Sequence, residues 1–398
     1  MRTIRIILTA VVSLLSFSLY AQELSESSFG KGLVNYVTKD STFSLKMGAR
    51  FQGQYSTNWL TGDGTTKLDG SNFLIRRARL KFEGFAYSPK LRYKLQLGFS
   101  NRDISGSSDF TSDAERLLLD AVLRWNFNGN WDLWAGQTKL PGNREELISS
   151  GSLQFVDRSL LNSYFGLDRE MGVQLHHHLT LGDQLVIREA ISLSQGEGRN
   201  VTSGNLGGLH YLGKLEVLPM GEFIEEGEYE GGDLARHPEP KLALGVSYSF
   251  NHDAVRSESI GGDYLYIDDG FYQTDISTFF VDAIFKYQGF SLMGEYARRK
   301  AQDPWVKFSN GLLTGDVIAE GSAVNFQAGY VFGNDFELSG RLTNVDMKHV
   351  SDETQYTLGL SKYIYGHKLK VQTDISYTRF EDLPQDDVML RLQFEFQI

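Results

Sequence analysis

Val388, Leu390, Leu392, Phe394, Phe396 and Ile398 alternate with Met389, Arg391, Gln393, Glu395 and Gln397 along the last segment of the chain. In an extended strand a period of two sends one set to each face. One face is wholly apolar and the other almost wholly polar. The same alternation marks residues 43 to 55, where Phe43, Leu45, Met47, Ala49, Phe51 and Tyr55 oppose Ser44, Lys46, Arg50, Gln52 and Gln54. Strands of about ten residues with a lipid-facing apolar side and a polar inner side specify a transmembrane β-barrel. The polar face then lines a lumen, and function becomes a question of what that lumen passes.

Read by this period, the chain predicts an all-β protein, a transmembrane antiparallel barrel of sixteen strands. They fall near 42–55, 73–86, 91–100, 116–127, 131–139, 169–178, 184–194, 209–218, 241–250, 275–287, 289–299, 322–332, 335–344, 353–364, 368–380 and 387–398. Turn-forming residues join alternate pairs: Ser88-Pro89-Lys90, Asn128-Gly129-Asn130, Gly182-Asp183, Gln288-Gly289, Gly333-Asn334 and Gly366-His367. The intervening connections are mostly long, including 56–72, 101–115, 140–168, 195–208, 251–274 and 300–321. Short turns on the periplasmic side and long loops outside is the arrangement of outer-membrane barrels.

One connection departs from it. By parity 219–240 is a periplasmic turn, yet it is long and carries Glu225, Glu226, Glu228, Glu230 and Asp233. It reads as a solvated excursion, with a concealed hairpin or a partner-binding surface as alternatives. The strands over 131–194 are also weakly written. Lys139, His177 and Glu189 fall on nominally apolar faces, which predicts a bulge or a register change there.

Residues 1–21 read as a secretory signal: Arg2 and Arg5, an apolar stretch from Ile6 to Leu19, and a cut after Ala21. That stretch is shorter than the roughly 20 residues of a spanning helix. Residues 22–41 form an N-terminal periplasmic segment and 42–398 the barrel. Loss of Arg2 and Arg5 takes the formal charge from −11 to −13, which argues against a nucleic-acid partner. Without cysteine there is no thiolate metal site or disulfide staple. The 26 Phe and 19 Tyr suit aromatic girdles at both membrane surfaces.

The densest charged constellation lies on the first three strands. Arg77, Arg79 and Lys81 share one face at steps of roughly 6.6 Å. Lys46 and Arg50 share the inner face before them, and Arg92 and Lys94 the one after. Pairing would merge these into one basic wall lining the pore, and guanidinium forks suit phosphate oxygens. The competing reading pairs these cations with Glu83, Asp120 or the inward acids Asp282, Glu295, Glu337, Asp374 and Glu395, so that they only stiffen the wall.

The 140–168 connection has its own apolar residues: Leu153, Phe155, Leu160, Leu161, Tyr164 and Phe165. Such a long loop usually has a structural role. Folded into the lumen it would form a constriction, with Lys139, Arg144, Arg158 and Arg169 beside or within it. The alternative is a cap above the mouth. In the His176-His177-His178 run, two imidazoles share a strand face but lack a third ligand nearby, so no metal site is assigned. No GxSxG, HExxH or phosphate-loop pattern occurs.

The stretches Phe73-Leu74-Ile75-Arg76-Arg77-Ala78-Arg79-Leu80, Gly136-Gln137-Thr138-Lys139-Leu140-Pro141, Asp157-Arg158-Ser159, Arg169-Glu170-Met171-Gly172 and Pro240-Lys241-Leu242-Ala243-Leu244-Gly245-Val246 resemble the phosphate-selective porin O and P family of Gram-negative outer membranes, in its Bacteroidetes-like form. The resemblance spans almost all of the mature chain. It implies a sixteen-stranded barrel, commonly a homotrimer, with an inward-folded third loop, a basic lumen and no cofactor. Its partners would be outer-membrane lipid and small inorganic anions such as phosphate. The expected function is an outer-membrane porin, a passive channel for small anions, phosphate or polyphosphate among them. A general or carbohydrate-passing porin without anion preference is the alternative in transport. A barrel-borne hydrolase or an adhesive barrel with a plugged lumen are the readings from other classes.

Overall fold

The computed structural model describes residues 29–62, 64–104, 117–201, 205–348 and 352–398; the signal expected over 1–21 lies outside them. Sixteen strands build the wall. The first six are β1 Ser44–Gly62, β2 Thr65–Ala86, β3 Ser88–Gly98, β4 Leu118–Asn128, β5 Trp131–Lys139 and β6 Arg169–Leu181. Then come β7 Leu185–Ser194, β8 His210–Leu218, β9 Lys241–Ala254, β10 Thr274–Tyr287 and β11 Phe290–Ala301. The last five are β12 Gly321–Val331, β13 Phe336–Met347, β14 Glu353–Tyr365, β15 Leu369–Phe380 and β16 Asp386–Gln397. Neighbours pair antiparallel, and β1 pairs with both β2 and β16, which closes the sheet. Closure leaves no unpaired edge facing lipid.

A seventeenth, short strand at Val34–Val37 pairs with the start of β1, Ser44–Met47. It lies below the chain's end, where Ile398 exchanges backbone hydrogen bonds with Ala49 at 2.8 and 2.9 Å. The N-terminal segment thus occupies the seam that β16 is too short to fill.

The alternation is realised as expected: Leu244, Val246 and Tyr248 of β9 and Phe394 and Phe396 of β16 are exposed, while Ser247, Ser249, Gln393 and Glu395 are buried inside. The turns follow too, with one change. Between β2 and β3 the positive φ belongs to Tyr87, at 68°, while Ser88, Pro89 and Lys90 lie inside the strand.

The irregularity expected in strands five to seven is not there. The β5–β6 and β6–β7 ladders run without a register shift, and the shift falls between Asn126 and Asn128 of β4. Of the three polar residues noted there, His177 and Glu189 pair on the outer face and Lys139 turns inward. His177 Nδ1 lies 2.8 Å from Glu189 and its ring stacks on Trp131 at 4.2 Å. Lys139 ends its strand by turning its ammonium to the carbonyl of Ile148 at 3.2 Å.

The interior is partly filled. The 140–168 loop runs across the lumen as two helical turns, Arg144–Leu147 and Leu160–Phe165, joined by an extended tip. Its Leu140, Leu161, Phe165 and Leu167 pack on the inward Leu212, Phe280, Ala297, Ala323, Val345 and Met347. Ile148 and Leu153 join a second cluster with Leu218, Ala243, Ile284 and Met293. A fully buried apolar side chain gains roughly 1.5–3 kcal/mol, so these contacts dock the loop firmly.

The 219–240 connection is not a solvated excursion. Glu222, Glu225 and Glu226 are exposed, but Glu228, Asp233 and His237 are buried within the turn-side mouth. Asp233 accepts from the Gly289 amide at 2.7 Å and lies 2.6 Å from His237 Nδ1. The Gly231 amide donates to the Ser152 carbonyl at 2.6 Å, so this segment meets the loop tip inside the barrel. Its acids are partners for inward cations: Arg188 pairs with Glu228 and Glu222.

Arg144 ties the two inward segments to the wall. It is fully buried, with Nε 2.6 Å from Asp282, Nη2 2.7 Å from Glu216 and Nη1 3.2 Å from the Glu228 carbonyl. Removing one partner of a buried ion pair leaves charge uncompensated. Arg144→Leu is expected to cost on the order of 3 kcal/mol. A lowered temperature for the heat-dependent gel shift of the folded barrel would register it, and an unchanged one would show the loop to be held by apolar packing alone.

Candidate functional site

What the loop leaves open lies mainly against β1–β6, with β7 and β8 closing one cavity and β14–β16 the other. Among the described residues, a cavity of about 1170 Å³ on the loop side is lined by eight arginines and four aspartates, with no lysine or glutamate. A second of about 540 Å³ opens on the turn side, with six cations and five acids on its walls.

The expected basic wall divides between them. Arg77, Arg79, Arg158 and Arg169 line the larger cavity. Arg92, Lys94 and Lys139 line the smaller one. Between them the buried Asp120 holds Lys94 of the smaller cavity at 3.1 Å and Arg169 of the larger at 3.3 Å. Beside it the Ile148 carbonyl accepts from Lys139 at 3.2 Å and Arg158 at 2.9 Å, so cations succeed one another from one cavity to the next. Lys46 and Lys81 share Glu83 lower on the wall, at 3.9 and 2.6 Å, and Arg92 pairs with Asp132 at 3.0 Å.

Two expected residues do not face the passage. Arg144 is the buried staple described above. Arg50 lies under the loop tip, with Nη2 2.6 Å from Ser150 Oγ and Nε 3.8 Å from Glu395. Arg50 was placed by correct parity but is covered by the loop, whereas Arg144 is part of the loop itself and is turned away from the open space.

One residue that parity assigns to the lipid side faces in. The β1–β2 register slips between Gln52 and Gly53, where Gln52 pairs with Arg77 and Gly53 with Ile75. Arg76 is the extra residue of that bulge, and a bulge can turn two successive side chains to one face. Arg76 and Arg77 are 5% and 4% exposed, while Ile75 is 53% exposed on the outside. The alternation marks this shift: the apolar set moves from the odd positions Phe73 and Ile75 to the even positions Ala78, Leu80 and Phe82 across two successive arginines. Arg391 was legible, since it belongs to the polar set of the last strand. Arg102 and Arg199 arrive from loops, where periodicity gives no direction.

Some acids do pair with the wall: Glu83 with Lys46 and Lys81, Asp120 with Lys94 and Arg169, and Asp374 with Arg391 at 2.7 Å. The inward acids of the later strands are buried. Asp282, Glu295, Glu337, Asp374 and Glu395 are each at most 4% exposed and line neither cavity. Asp282 takes Arg144; Glu295 accepts from the Glu145 amide at 2.8 Å; Glu337 from Gln154 at 2.6 Å; Asp374 from the Val156 amide at 3.1 Å. Glu395 accepts from Gln52 Nε2 at 2.8 Å. The inner cations are not bare either: Arg79 pairs with Asp103, and Arg77 lies 3.5 Å from Asp157. Among the described residues, cations still outnumber acids two to one around the larger cavity.

The three successive histidines do not converge as a metal site. His176 stacks on Trp134 at 4.0 Å and bonds Gln174 at 2.9 Å, with the Arg124 guanidinium 3.8 Å from the Trp134 ring centre.

A family profile described as phosphate-selective porin O and P matches residues 45–342. No curated protein sequence matches. Among solved structures, an anion-selective porin from Comamonas acidovorans aligns at TM-score 0.53 and 12% identity, covering 89% of this chain and 100% of its own. The Salmonella typhi OmpF complex with daunomycin aligns at 0.55 and 11%, covering 91% and 100%. The loop L8 deletion mutant of Vibrio cholerae OmpT aligns at 0.51 and 9%, covering 89% and 100%. At such identities these likenesses establish the fold.

Proposed function

The chain belongs to the phosphate-selective porin O and P family, and we propose that this outer-membrane porin conducts small anions, inorganic phosphate among them, along its β1–β6 wall. The observation that carries this reading is the separation of charge inside the barrel. Acids on the inward faces of β10, β11, β13, β15 and β16 are buried, four of them against the loop. The open cavity on the loop side keeps a surplus of guanidinium groups. Conduction requires binding strong enough to admit an ion and weak enough to release it. A row of arginines, each already sharing a carboxylate, meets both conditions.

In this reading Arg77, Arg79, Arg158 and Arg169 draw the ion from the loop side. In it the two cavities communicate beside Asp120, where Lys94 and Lys139 receive the ion, and Lys46, Lys81 and Arg92 bias the exit. Arg144 and Arg50 hold the loop. The protein acts as a channel rather than an enzyme. Export by residues 1–21, a periplasmic segment over 22–41 and assembly as a homotrimer complete the proposal. The outer surface of β5–β9 offers an apolar hollow of about 560 Å³ above Gly213 for a neighbouring subunit.

Reversal potential of the wild-type protein in planar bilayers under a KCl gradient tests the central claim. A potential of the sign set by chloride is expected, with phosphate reducing the chloride current. A reversal potential at zero would assign a general porin.

A further inference from the structure

Outside the barrel, at the loop-side end of β9, a bulge gathers three side chains that can bind a metal. Asn251 pairs with Ile276 and Ala254 with Thr274, so His252 and Asp253 together face Asp275 alone. Two residues against one re-aim side chains that regular alternation would send to opposite faces. The backbone allows it because Asp253 takes a φ of 47°, in the left-handed region that Asp tolerates. His252 follows Tyr248 outward, and its ring lies near-parallel to Phe250, 6.2 Å away. Its Nδ1 is 2.8 Å from Asp275 Oδ1 and its Nε2 3.5 Å from Asp253 Oδ2. The Asp253 amide donates to the same Asp275 oxygen at 3.0 Å. One ligand atom from each of the three residues lies within 4.8 Å of the other two. Around a tetrahedral ion with bonds of about 2.0–2.2 Å, ligand atoms stand roughly 3.3–3.6 Å apart, so small side-chain rotations close this cluster on one ion.

Two carboxylates brought this close repel each other unless a cation joins them. Among the described residues neither pairs with a lysine or arginine, and Asp275 Oδ2 and the Asp253 side-chain oxygens accept no hydrogen bond. All three side chains are open to the medium, at 51, 46 and 28% exposed for His252, Asp253 and Asp275.

We propose that His252, Asp253 and Asp275 bind one divalent transition ion of the zinc class, with a fourth position open to the medium. An imidazole nitrogen with two carboxylates suits such an ion better than calcium or magnesium, which seek about six or more oxygens. The ion clasps β9 and β10 where their ladder is broken. Its grip extends to neighbouring connections, because the Asp253 carbonyl accepts from the Gly208 amide at 3.3 Å and the Asp275 carbonyl from the Gln302 amide at 2.9 Å. The site lines neither cavity, so it is independent of the anion reading.

The experiment is calorimetric titration of the untagged full-length protein in detergent, stripped with EDTA, using zinc chloride as probe and calcium chloride as comparison. Wild type should bind one equivalent of zinc, and zinc should raise the temperature of the heat-dependent gel shift. Loss of a group that only orients a metal ligand costs roughly 10–100-fold in affinity, so His252→Ala is expected to weaken zinc binding at least about 100-fold. Asp275→Asn should weaken it too. His177→Ala, which breaks the other outward histidine–carboxylate pair, should leave it unchanged. Zinc binding that survives His252→Ala, or is lost with His177→Ala, overturns the proposal. So does a wild type that takes up no zinc, the behaviour of a plain imidazolium–carboxylate cluster. Calcium held as tightly as zinc would assign a surface site made by oxygens alone and overturns it as well. The substituted side chains are exposed at the rim, and the gel shift in EDTA confirms that each variant is folded.

Discussion

Removal of residues 147–162 is expected to raise single-channel conductance several-fold and to reduce anion preference towards none. The segment contains one acid and one base, Asp157 and Arg158, so its loss leaves net charge unchanged. Any change in selectivity must then come from what it uncovers. Gln154 and Val156 leave Glu337 and Asp374, and Leu153 leaves Lys370, whose ammonium its carbonyl accepts at 3.1 Å. The passage would gain a wall of mixed sign beside its basic one. A pore's selectivity is set at its narrowest section by diameter and lining groups together. Both would change here, and larger uncharged solutes should enter liposomes in swelling assays. A folded deletion variant with unaltered conductance and selectivity would mean that the loop does not form the constriction.

Reversing two charges on the wall should have the next largest effect. Arg77→Glu with Arg79→Glu replaces two cations of the larger cavity by acids and leaves Asp103 and Asp157 facing like charges. A unit charge about 5 Å away contributes roughly 3 kcal/mol at an effective dielectric of about 20. Even with strong screening, several such changes exceed the margin by which a pore prefers anions. The reversal potential is therefore expected to move to the cation side. Arg298→Glu serves as the comparison, because Arg298 is exposed on β11 opposite Phe279, outside the barrel. Equal shifts from both changes would place the filter elsewhere.

Strand positions were readable because period two is local: each residue's face follows from its neighbour's, and lipid on one side makes that contrast large. Sixteen strands, the alternate short turns and most of the basic wall come from this rule. It fails where geometry is not local. The bulge at Arg76 shows in the sequence only as a switch of the apolar set from odd to even positions, which a single period carried through the strand misses. The 140–168 loop left a partial trace: β10 is apolar on both faces, with Phe279, Val281 and Phe285 outside and Ile276, Phe280 and Ile284 inside. An inward apolar row needs a cover, but no strand pattern says which loop provides it.

The sequence by itself determined the barrel, its lipid face and a wall rich in arginine. Tertiary structure alone decided the sign of the open space. Inward residues carry both charges in similar number, and alternation treats them alike. Only when the loop and the 219–240 segment pack into one half of the lumen do five acids become buried partners while the arginines of β2 stay on the passage. Burial requires a buried carboxylate to find donors, and the loop amides, Arg144 and Gln154 supply most of them. Selectivity in this reading is therefore a consequence of packing across the barrel, between residues more than a hundred positions apart in the chain.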